Sequence, residues 1–103
     1  MERKRKWTFL TNHAVLLSYI ALHPRMTARE LAKFVGITER AVRKIIADLL
    51  EEGYITKNRQ GRRNRYHINP DLPLRHPALE ETAVGYLLQV LGWRKPGRPR
   101  RPR

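Results

Sequence analysis

The chain has 103 residues, 41% of them hydrophobic, and a formal net charge of +13 from 22 Lys and Arg against 9 Asp and Glu. That length is one small domain, and the imbalance exceeds what solubility needs and points to a polyanionic partner. The absence of cysteine excludes a disulfide framework, a thiol nucleophile and a Cys-type zinc cluster, and no apolar run approaches the ~20 residues of a membrane span. The basic start, Arg3 to Lys6, is not followed by an apolar segment with a small-residue cleavage site, so a cytoplasmic, nucleoid-associated protein is expected.

Residues 1 to 8 read as a basic N-terminal arm. A first helix is expected over residues 12 to 22, capped by Asn12, with Leu16, Leu17, Ile20 and Ala21 as its apolar stripe and Pro24 as its stop. A short second helix over residues 28 to 35 follows. Thr27 and Glu30 have capping-box spacing, and Gly36 suits the left-handed position after a helix end. Thr38 caps a third helix whose Val42, Ile45, Ile46, Leu49 and Leu50 recur at the spacing of one buried face, and Gly53 ends it. Its opposite face carries Arg40, Arg43 and Lys44 in the first half and Asp48, Glu51 and Glu52 in the second. That order opposes the helix dipole, which favours acids at the start and cations at the end. Either the cations serve a partner, or the face is simply solvated and laced by pairs such as Lys44 with Asp48.

Two β-prone runs come next, "YITKN" and "NRYHIN", joined by "RQGRR" as a turn. Lys57, Arg59, Arg62, Arg63 and Arg65 crowd this hairpin. They are either anion contacts or charges that keep an exposed edge from aggregating. "LPLRHP" reads as an extended connector. A last helix is expected over residues 78 to 91, with Pro77 in its first turn and Gly92 at its end. It is apolar on more than one face, and Leu79, Val84, Leu87, Leu88 and Leu91 would meet a second copy of the chain. After Trp93 the Pro- and Arg-rich "RKPGRPRRPR" has no periodicity and reads as a disordered tail.

Helix, short helix, tight turn "VGIT", longer helix and basic hairpin is the layout of a winged helix-turn-helix. Residues 27 to 69, with "ELA", "VGITERAVRKII", "LLEEGYI" and the Gly-Arg-Arg wing, resemble the DNA-binding domain of winged-helix transcriptional regulators of the MarR/ArsR type. The resemblance implies a mainly α fold with a small hairpin: three core helices, a wing and an additional C-terminal helix. It implies double-stranded DNA as partner; the apolar last helix points to a homodimer, and the lack of a candidate catalytic centre to no enzymatic activity. It also implies that Thr38, Glu39, Arg40, Arg43 and Lys44 enter the major groove. Arg40 and Arg43 would read guanines and Lys44 would meet a phosphate. Glu39 would accept from a cytosine amine or only favour the helix start. In the wing, Arg62 or Arg63 would enter the minor groove while Lys57, Arg59 and Arg65 track phosphates. The tail stretch "KPGRPR" resembles an AT-hook at Gly97-Arg98-Pro99, but Pro96 stands where the hook has an arginine. Arg98 therefore reads as a phosphate contact.

The domain plan is an arm at 1–8, a winged helix-turn-helix at 9–76, a dimerising helix at 77–92 and a basic tail at 93–103. His13, His23, His67 and His76 show no helical ligand spacing, and Ser18, the single serine, has no recognisable base, so no metal, cofactor or catalytic centre is expected. No residue announces a pocket for a small-molecule effector. The expected function is a sequence-specific regulator, repressing by occupancy. The alternatives are a low-specificity architectural DNA-binding protein and a winged helix used for protein or RNA contact.

Overall fold

The computed structural model describes residues 7–94. Its elements in chain order are α1 (Asn12–Leu22), α2 (Ala28–Val35), α3 (Glu39–Glu51), the strands β1 (Ile55–Gln60) and β2 (Arg63–Ile68), a single 3-10 turn at Pro77–Leu79, and α4 (Val84–Val90). Together they make a winged helix-turn-helix with one added C-terminal helix. No described helix is long and apolar enough to cross a membrane.

Local chemistry sets most of these bounds. The N-cap of α1 is Thr11, not Asn12: its hydroxyl accepts from the Ala14 amide, which satisfies one of the helix's orphan donors. The expected capping box opens α2, with Thr27 and Glu30 each accepting from the other's backbone amide at 3.1 and 2.9 Å. Gly36 closes the helix at φ +86°, a conformation that costs a side-chain-bearing residue but not glycine. The chain then needs only Ile37 before Thr38 caps α3 through the Ala41 amide.

The core forms where the three helices meet the hairpin base. Leu16, Leu17 and Ile20 of α1, Leu31 of α2, and Val42, Ile45, Ile46 and Leu49 of α3 are buried with Tyr54, Ile55 and Tyr66. Each large aliphatic side chain buried this way contributes about 1.5–3 kcal/mol of transfer free energy. The hairpin is longer and its turn tighter than expected. Gln60 pairs with Arg63, leaving Gly61 and Arg62 as a two-residue turn with Gly61 at φ +64°. Glycine in the first turn position matches the natural twist of the strands. The free edge of β2 is partly covered, because the Tyr66 amide donates to the Pro24 carbonyl at 2.9 Å. The wing base is thereby bonded to the α1–α2 connection.

The C-terminal helix is half its expected length. Residues 72–74 and 82–84 lie side by side as extended chain, with Leu74 donating to Thr82 and Val84 donating to Leu72. Gly85 donates to the Pro70 carbonyl at 2.9 Å. These non-local bonds occupy the amides that open α4, which has no side-chain cap. Trp93 folds into the core at 8% exposure and its amide donates to the Leu88 carbonyl. It belongs to the body and not to the tail; of the expected tail, residues 95–103 lie outside the described residues.

Candidate nucleic-acid interface

The buried stripe of α3 fixes what its other face can do. With Val42, Ile45, Ile46 and Leu49 turned inward, Arg40, Arg43, Lys44 and Ala47 are left exposed. Thr38 and Glu39 lie at the start of that face, Thr38 with its hydroxyl committed to the Ala41 amide. Both ion pairs that the spacing allows are present. Arg43 Nη2 sits 2.6 Å from Glu39 Oε2, and Lys44 Nζ sits 2.9 Å from Asp48 Oδ1. Exposed i,i+4 pairs of this kind are weak and readily exchanged for a stronger anion. Arg40 has no ion-pair partner among the described residues.

The hairpin stands beside α3. Between them, from the start of α2, runs a groove of about 330 Å³ lined in part by Arg43, Lys57, Arg62, Arg63 and Asn64. The wing cations divide into distinct roles. Arg62 occupies the turn and is exposed. Arg59 Nε donates to the Gly61 carbonyl at 3.0 Å and braces that turn. Arg63 turns back onto the body: its guanidinium reaches both carboxylate oxygens of Glu30, at 2.9 and 3.3 Å, and the Arg25 carbonyl at 2.9 Å. The guanidinium bonds, followed by the Thr27 amide, hold the Glu30 carboxyl down to about 2. The same contact raises Arg63 above its ordinary value. With Arg63 anchored in this way, Arg62 is the arginine left at the tip.

Arg65 is separated from Lys57. Lys57 pairs with Tyr66 and Asn58 with Arg65, so the pleat puts Lys57 on the α3 side and Arg65 on the other. There Arg65 lines a hollow with His23 and Arg25. Sequence spacing gave no sign of Arg25, whose exposed side chain lies beside the wing only because Tyr66 bonds to Pro24. Arg98 is outside the described residues.

The five residues expected to meet a second copy do not share a surface. Val84 and Leu88 are 3% and 1% exposed within this chain's own core, so they are not available to a partner. Leu87 and Leu91 are half-buried, and Leu79 is exposed but lies in the 3-10 turn. The exposed apolar side chains of α4 are Tyr86 and Val90. Those two positions are one helical turn apart and form its outward stripe. Of the other aromatics, Trp7 and Phe9 are exposed and pack edge to face, while Tyr19 stacks between His23 and Phe34. Among the described residues no group of three His, Asp or Glu is placed to hold a metal.

Residues 14–56 match the family of winged helix-turn-helix DNA-binding domains. The chain is also 32% identical over 74 residues to an uncharacterized protein of Methanocaldococcus jannaschii, covering 69% of this chain and 16% of that protein. It thus spans about a sixth of the curated relative it matches. Two solved structures share its fold. One is MepR, a transcription regulator of the Staphylococcus aureus multidrug efflux pump MepA, with 22% identity, a TM-score of 0.50, and coverage of 59% of this chain and 48% of that one. The other is a predicted DNA-binding transcriptional regulator from E. coli, with 23% identity, a TM-score of 0.54, and coverage of 76% and 70%.

Proposed function

We propose that this chain, whose residues 14–56 fit a winged helix-turn-helix DNA-binding domain, is a sequence-specific transcription regulator of the MarR/ArsR type that represses by occupying its operator. The first half of α3 enters the major groove, where Arg40 and Arg43 meet guanine edges and Lys44 a phosphate. Arg62 at the hairpin tip enters the adjacent minor groove, and Lys57 faces the backbone between them. Arg63 positions the wing and does not read DNA. The observation that supports this most is the shared groove. Arg43 from α3 and Lys57 and Arg62 from the hairpin line one concavity, although their chain positions are far apart.

A homodimer would present two such surfaces about one DNA turn apart. Its contact runs along Tyr86 and Val90 of α4, the apolar side chains this helix leaves to solvent.

One observation favours the architectural alternative. Two of the three α3 cations, Arg43 and Lys44, already have acidic partners on α3, which leaves Arg40 alone there, whereas Lys57, Arg59, Arg62 and Arg65 of the wing have none among the described residues. A wing-dominated contact would be tolerant of sequence. Selection of bound fragments from a random duplex pool separates the two. An enriched inverted repeat with half-sites roughly 10 base pairs apart is the result expected of a dimeric regulator. A flat profile with undiminished affinity would establish the architectural role instead.

A further inference from the structure

The outer face of the hairpin carries a second run of cations. Arg65 and His67 are two residues apart on β2, so the pleat turns both away from α3. Arg65 lines two neighbouring hollows. One, of about 400 Å³, it shares with His23, Arg25 and Arg63; the other, of about 420 Å³, it shares with His67, Trp93 and Arg94. The run therefore passes from the α1–α2 connection, across the wing, to Arg94. No carboxylate lines either hollow. Arg25, Arg65 and Arg94 have no ion-pair partner among the described residues. The next nine residues of the sequence add Lys95, Arg98, Arg100, Arg101 and Arg103.

Three unanswered cations on one surface repel one another until an anion joins them. A single phosphate answers one hollow and leaves the other as it was. A polyanion with closely spaced charges meets both. The groove beside α3 and this run also share an edge, since Met26 and Arg63 line both the groove and the first hollow. A duplex seated in the groove thus has the outer run as its neighbour across that edge.

We infer that the outer face of the wing, through Arg25, Arg65 and Arg94, holds the backbone of duplex DNA flanking the stretch that α3 and the hairpin tip grip. The footprint of the chain extends past the wing on the side away from α3. Contacts to phosphates alone carry no sequence information, so the flank adds affinity and leaves the preferred sequence unchanged. This flanking contact rests on the DNA-binding role proposed above.

A ladder of duplexes tests it with the full chain. The ladder is built outward from one bound fragment, about two base pairs per step, through roughly one helical turn at each end. The affinity of the unmodified chain is expected to go on rising after that of Arg25→Gln with Arg65→Gln has levelled off. On the longest duplex the double variant loses about two units from the slope of log affinity against log salt, one for each phosphate contact, and on the shortest it loses none. Lys57→Ala, on the inner face, loses about one unit at every length. Should the double variant unfold, Arg25→Gln and Arg94→Gln singly, at two exposed positions, each lose about one unit on the longest duplex alone. Equal losses on short and long duplexes would overturn the flanking assignment by placing these arginines in the groove-side grip. A second equivalent of the short duplex, abolished by the variants, would overturn it in favour of a separate DNA molecule. Full affinity for the short duplex with no gain on lengthening would sink the flank alone. No affinity for any duplex would remove the proposed function and this contact together.

Discussion

Glu30 holds two parts of the molecule with one carboxylate: it caps its own helix through the Thr27 amide and clamps the wing through Arg63. Its carboxyl is held near 2 against an ordinary 4.5. A depressed acid adds stability that is fully present above its unfolded value and is lost as pH falls through its folded one. The stability of the unmodified chain therefore declines between about pH 4.5 and pH 2 through this group. Urea unfolding across that window is expected to show a flatter pH dependence in Glu30→Gln than in the unmodified chain. Gly85 is a second position where one residue is decisive. A Cβ there would lie 2.7 Å from Pro70 Cβ and 3.0 Å from the Pro70 carbonyl oxygen. Gly85→Ala is expected to cost about 1–3 kcal/mol by overpacking, outweighing alanine's better helix propensity. A lowered thermal midpoint checks it.

Among the elements, α3 does opposite work on its two faces, and they respond to different substitutions. Arg40→Ala with Arg43→Ala is expected to leave the unfolding free energy within about 0.5 kcal/mol for each substitution, since both side chains are exposed. The pair lowers affinity for a selected duplex by about 1–3 kcal/mol for each lost base contact. Fluorescence anisotropy alongside thermal unfolding reads both effects. The bounds of α2 and α3 were legible because their determinants are local: a capping box, a glycine at positive φ, and apolar residues three and four apart. The shortening of α4 was not, because it depends on the Pro70 and Leu72 carbonyls capturing the Gly85 and Val84 amides and on the Leu74 amide donating to Thr82, all between distant stretches of chain. The same holds for the wing. Five cations in nine residues announce a charged hairpin, but that Arg63 faces inward depends on Glu30, 33 residues earlier.

For the whole molecule, charge and apolar surface are segregated. Cations collect on α3's first half and the hairpin, Asp48, Glu51 and Glu52 at α3's other end, and Tyr86 and Val90 stand exposed on α4. If that last stripe joins two copies, Val90→Glu, at a position 82% exposed in the single chain, leaves the fold intact and shifts sedimentation from dimer to monomer. The core of the proposed function is that α3 and the wing grip one duplex, and the salt dependence of duplex affinity tests it most directly. Each phosphate neutralised contributes about 0.9 to the slope of log affinity against log salt. The grip predicts a steep negative slope that Lys57→Ala reduces by about one unit. Duplex affinity indifferent to salt, or a slope that Lys57→Ala leaves unchanged, would contradict it.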